Sequence, residues 1–98
     1  MNKSEIKKTA LAIAKAQGYS FVKSSNEVFK GSLPVSIACE NFDKRDILVM
    51  IDINPDLPVA QRRHLWATAS QNMISAFRQE GFLVDQPHFE EFFVVRVS

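Results

Sequence analysis

Cysteine occurs once, histidine twice and glycine three times in this 98-residue chain, and each scarcity closes a class of function. The lone Cys39 cannot form an intramolecular disulfide, and within VSIACENF it reads as a small apolar strand residue. Such a setting raises a thiol pKa, so no cysteine nucleophile is expected, and the same usage points to a reducing compartment. Gly18, Gly31 and Gly81 stand far apart, which leaves no glycine-rich phosphate loop, and no G-x-S-x-G elbow is present to expose a serine. His64 and His88 each lack a second ligand at metal-binding spacing on the same local element. No catalytic residue, metal site or cofactor is therefore expected.

Charge and hydropathy narrow the field further. Twelve Lys and Arg against 11 Asp and Glu give a net charge of +1, too little for an overall field that gathers nucleic acid or anionic lipid. No stretch approaches the roughly 18 consecutive apolar residues of a membrane span. The opening MNKSEIKKTALAIAKAQG imitates a signal peptide, with early lysines and an Ala-Lys-Ala. However, its apolar run at 10–14 is shorter than the usual stretch of about 7–15 residues, Lys15 interrupts it, and Glu5 sits where positive charge belongs. An amphipathic helix explains the same residues better. The expectation is one cytoplasmic domain over 1–98, with no membrane contact and about 60–70% of its unfolded surface buried.

The richest stretch is 54–82, NPDLPVAQRRHLWATASQNMISAFRQEGF. At helical spacing, Val59, Leu65, Trp66, Ala69, Met73, Ala76 and Phe77 gather on one side, as packing on a core requires. The opposite side carries Gln61, His64, Thr68, Gln71, Asn72, Ser75 and Gln79, with Arg78 and Glu80 near the end. Solvated faces usually mix Lys with Glu, whereas this one is built of amides, hydroxyls and a histidine, which suits contact with a partner. Asp56 is the expected N-cap, Pro58 belongs to the first turn, and Gly81 with Phe82 predicts a Schellman ending. A first helix is expected from the cap Ser4 to the stop Gly18. Ile6, Ala10, Ile13 and Gln17 form its inner face, Lys8 and Lys15 lie opposite, and Lys7 falls towards the edge.

Between and after the helices the period is that of strands. Residues 19–23 read as a short strand, 24–26 as a turn and 27–30 as a segment that pairs back. Leu33, Val35, Ile37 and Cys39 alternate with Pro34, Ser36, Ala38 and Glu40, the pattern of a half-buried strand. After the turn NFDKRD, ILVMIDI is apolar on both faces up to Asp52, as in a central strand covered on each side or at a subunit contact. Leu83 and Val84 form a short extension, DQPH a turn, and 92–97 a last strand. The order α-β-β-β-α-β, with room for short strands after Tyr19 and at Phe82, predicts an α+β two-layer sandwich. Two helices cover one face of a mostly antiparallel sheet.

Two residue patterns invite sharper chemistry. Asp52-Ile53-Asn54-Pro55-Asp56 imitates the start of an EF-hand loop, yet Leu57 stands where glycine belongs and Arg63 where the bidentate glutamate belongs. Asp52 with Glu40, in this element order, resembles the core of restriction-endonuclease-like nucleases, whose carboxylates lie on neighbouring central strands. The resemblance implies a lysine two positions after the acidic residue, and Asn54 occupies that place, so a catalytically dead relative is the form it takes. A nucleic-acid-binding domain is a further alternative, using Lys7, Lys8 and Lys15 on the first helix with Arg62 and Arg63 on the second.

The favoured expectation is a non-catalytic protein-binding module, an adaptor, chaperone-like or inhibitory protein. Its partner is another protein or a second copy of itself, met through Gln61, Arg62, Arg63, His64, Thr68, Gln71, Asn72 and Ser75.

Overall fold

The computed structural model describes residues 2–22, 34–43, 46–85 and 91–96. Among these lie helix α1 (Lys3–Ala16), strands β1 (Ser20–Val22), β2 (Val35–Asn41) and β3 (Asp46–Ile53), helix α2 (Val59–Gln79), and strands β4 (Leu83–Asp85) and β5 (Phe92–Arg96). The expected α+β order is present, with β1 and β4 as the short strands after Tyr19 and Phe82. The sequence readings at 24–26, 27–30, 33, 44–45, 86–88 and 97, and the residues Lys23 and His88, lie outside the described residues.

The sheet runs in the order β1-β2-β3-β5-β4. Only β1 and β2 are parallel, and the remaining neighbours are antiparallel. β3 is central, with Ile37 opposite Ile51 on one side and Phe93 opposite Val49 on the other. Its residues alternate between half-buried and buried: Ile47, Val49, Ile51 and Ile53 point into the core under the helices, and Asp46, Leu48, Met50 and Asp52 take the other face. β3 is thus covered by helices on one side alone among the described residues.

Both helices end as their glycines require. Gly18 adopts φ +79°, and the Tyr19 and Gly18 amides donate to the Ala14 and Lys15 carbonyls, completing a Schellman motif. Gly81 adopts φ +89°, and the Phe82 amide donates to the Phe77 carbonyl at 3.1 Å. The Phe82 ring then meets Phe77 edge-on at 5.5 Å, and Phe77 meets Phe93 of β5 at 5.9 Å. One fully buried ring therefore joins helix end, chain reversal and sheet.

The starts of the helices differ from expectation. Asn2, not Ser4, caps α1 by accepting from the Glu5 amide at 2.9 Å, so Ser4 falls inside the first turn. Pro58, not Asp56, is the N-cap of α2, without a side-chain bond. The Asp56 amide is instead held by the Asn54 side chain at 3.0 Å in an Asx turn, which fixes Asp56 before the helix begins. Gln17, placed by spacing on the inner face of α1, is its exposed C-cap.

α2 packs slightly rotated from the apolar count. Its buried residues are Ala69, Ser70, Met73, Ile74 and Phe77, while Leu65 and Ala76 are half-buried on the flank. Val59 has the right phase but is 54% exposed, because it opens the helix beyond the end of the sheet, and Leu57 packs on the core in its place. Trp66 is half-buried, and its Nε1–H donates to the Ile51 carbonyl at 2.8 Å. That bond occupies the Ile51 carbonyl one residue past the β3–β5 pairs, where the Ile51 amide donates to the Glu91 carbonyl at 2.8 Å.

Two substitutions separate these roles. Phe77→Ala should cost about 3–5 kcal/mol, a large part of a typical domain's 5–15 kcal/mol. Trp66→Phe keeps most of the ring contact but orphans the Ile51 carbonyl, for about 1–3 kcal/mol. Chemical denaturation measures both, and an unchanged midpoint for Trp66→Phe would show that water replaces the indole without loss.

Candidate functional site

The outward side of α2 presents Gln61, His64, Thr68, Gln71 and Ser75, all exposed. From His64 to Phe77 the helix carries no charged side chain. Its cations sit at the ends: Arg63 is exposed in the first turns, and exposed Arg78 donates from Nη2 to the Val84 carbonyl at 3.3 Å, tying the last turn to β4.

Two members of the expected surface belong elsewhere. Asn72 is half-buried and its Nδ2–H donates to the Tyr19 hydroxyl at 3.2 Å, so it joins α2 to the segment after α1. Its position one step round from the buried Met73 turns it towards α1. Arg62 is also half-buried, and its Nε–H has no acceptor among the described residues. The stem of Arg62 is therefore part of the packing.

The basic residues of the nucleic-acid alternative do not form one patch. Lys3 donates from Nζ to the Asp43 carbonyl, which sets the start of α1 at the β2–β3 hairpin. α2 instead starts just past Ile53, at the other end of β3. Lys7 and Lys8 are therefore separated from Arg62 and Arg63 by much of the sheet's length, while Lys15 is exposed near the end of α1. A groove of about 370 Å³ lies beside α1, lined by Lys8, Thr9, Ala12, Ile13, Ala16 and Glu80, with mostly aliphatic walls and no convergent set of polar groups to orient a ligand.

Glu40 and Asp52 share the helix-free face of the sheet. Asp52 stands opposite Ser36 and Glu40 opposite Leu48, so the two acids are offset by four residues, about 13 Å along the strands. The Ala38–Met50 pair lies between them. Backbone spacing of that size does not set two carboxylates around one ion. Asp52 is nevertheless perturbed: burial pushes its pKa above the ordinary value, and the Glu40 carboxylate adds to the rise. Cys39, on the core side of β2, has its pKa pushed up to about 12 by burial, partly offset by Lys7, so the thiol stays protonated at neutral pH.

The raised Asp52 pKa fixes a sign. The folded chain holds this proton more tightly than the unfolded chain, so stability falls as pH rises above 3.8 through the folded value, and remains lower beyond it. Asp52→Asn should melt at a higher temperature than the wild type at pH 7, and the two should converge at acid pH where both forms are neutral. A variant that melts lower at pH 7 would show that the carboxylate has a stabilising partner in the folded protein.

No known protein family, curated protein or solved structure matches the chain.

Proposed function

We propose that this protein is a non-catalytic binding module, an adaptor, chaperone-like or inhibitory protein that meets another protein, or a second copy of itself, through the outward face of α2. The observation that carries the reading is the exposed row Gln61, His64, Thr68, Gln71 and Ser75 on a helix with no formal charge between His64 and Phe77. Uncharged polar groups are buried at far lower desolvation cost than ammonium or carboxylate, provided that hydrogen bonds are made. Interface cores are correspondingly depleted in Lys and Glu. Arg63, exposed at the leading end, provides a rim cation that orients the approach.

The fixed parts support a rigid contact. α2 is held at its start by the Trp66 bond to Ile51, midway by Asn72 on Tyr19, and at its end by Phe77, Phe82 and Arg78. A surface on such an element loses little freedom when it is covered. The cytoplasm is the compartment that fits, on the support of a single buried thiol and no disulfide framework. No helix among the described residues is long and apolar enough to cross a membrane.

The test places like charges on the row and leaves Asn72 intact, because Asn72 serves the packing. Gln71→Lys with Ser75→Lys uses helix-compatible residues near the C-terminal half, so the fold should hold within about 0.5 kcal/mol. Association should fall by roughly tenfold or more, read by sedimentation for self-association and by quantitative capture from the native host for a second protein. Undiminished association by a variant with an unchanged melt removes this face from the account.

A further inference from the structure

We propose that the groove beside α1 docks an amphipathic helix of another protein, whose aliphatic side chains enter the groove and whose acidic side chains meet Lys8 and Lys15. The surface lies on α1 and goes beyond the reading of the α2 row.

The groove occupies the side of α1 that its packing leaves over. Ile6, Ala10, Ile13 and Ala14 are the buried residues of the helix, which packs on β1, β2, β3 and α2. Ala12 and Ala16 are exposed and Thr9 is half-buried, so the α1 wall is a run of small side chains beside Ile13. Glu80, the C-cap of α2, lines the groove from the second helix. Small side chains at a contact let a second helix axis come close, and a volume of about 370 Å³ receives aliphatic side chains from it. The polar groups of the lining do not converge as a small molecule would need, so an occupant gains chiefly by burying apolar surface. Helix-in-groove recognition has this form, with anchors at i, i+3, i+4 and i+7.

Charge states which helix fits. Lys3 is engaged by the Asp43 carbonyl, and the other charged side chains of α1 are Lys7, Lys8 and Lys15 against Glu5, all exposed. Lys8 and Ala12 line the groove, and Lys15 continues their stripe at i+7, which sets the two lysines about 10 Å apart along the axis. Lys8, Lys15 and Glu80 have no ion pair among the described residues. Two acids seven residues apart on an incoming helix meet both lysines at once. Glu80 repels an acid on the other flank, so the acidic edge is directed to α1 and the docked helix has one orientation about its axis. A nucleic acid would meet Glu80 as a like charge and has no use for the alanine walls. A second copy brought α1 to α1 would set three lysines per chain against their own counterparts, which disfavours that pairing.

The experiment uses the full chain labelled at its alanine and isoleucine methyl groups. The probe is a synthetic helical peptide with leucines at i, i+3, i+4 and i+7 and flanking glutamates seven residues apart, and the control carries lysine in place of each glutamate. The glutamate peptide should shift Ala12, Ala16 and Ile13 saturably and leave the core residue Ile51 in place, whereas the lysine peptide should shift none of them. Lys8→Glu with Lys15→Glu should weaken the glutamate peptide by roughly tenfold or more, with the melt unchanged because both side chains are exposed. If that variant melts lower, the wild-type shift maps with the two peptides decide alone. Gln71→Lys with Ser75→Lys should bind the peptide undiminished, so that failure of the α2 row and failure of the groove are told apart. Equal response to both peptides, shifts away from α1, or undiminished binding by a well-folded Lys8→Glu, Lys15→Glu variant overturns the proposal. A short DNA duplex that shifts Ala12 and Ala16 as strongly as the glutamate peptide would assign the lysines to phosphate, and a dimer in sedimentation that Ala12→Arg dissolves would assign the groove to a second copy; either overturns it as well.

Discussion

The alternation of β3 is the constraint on which the rest depends. Ile47, Val49, Ile51 and Ile53 enter the core between the sheet and the two helices, and every intervening side chain is delivered to the opposite face. A slip of one residue would exchange the two sets and place Asp46 and Asp52 under α2. The pairings on both sides, Ile37 with Ile51 and Val49 with Phe93, repeat the same choice, so the three central strands agree on which face is interior. Burial of apolar area at roughly 25 cal/mol per Å² makes that agreement decisive over any local preference.

From this constraint follow the two surfaces of the molecule. On the helix side, α2 must bury Ala69, Ser70, Met73, Ile74 and Phe77, which leaves its uncharged row outward. On the sheet side, Leu48 and Met50 have no helix above them among the described residues. The outward row of α2 is polar and carries no formal charge between His64 and Phe77.

Much of the fold was legible in the sequence because period and punctuation agreed. The Gly18 and Gly81 endings and the fold-back of Phe82 on Phe77 follow from residues that few other conformations use. The helix starts were less legible: Asn2 and Ser4 are both good caps, and Asn54 captured the Asp56 amide, a competition between side chains that spacing does not resolve. In the candidate site, Gln61, His64, Thr68, Gln71 and Ser75 are exposed as the periodicity requires. Asn72 and Arg62 were misplaced because helix phase locates a residue on a circle but does not say where a second helix or a turn begins to cover it. The apolar character of ILVMIDI on both faces predicts a central strand covered on each side or at a subunit contact; β3 is central, and among the described residues helices cover one of its faces.

The most direct measurement of the two-faced sheet is methyl relaxation in the free protein with a soluble paramagnetic agent. The methyl groups of Leu48 and Met50 should broaden strongly, whereas those of Val49, Ile51 and Met73 should be protected. Equal protection on both sets would mean that the helix-free face is covered in the free chain, and strong broadening of Val49 or Ile51 would contradict the register of β3 itself.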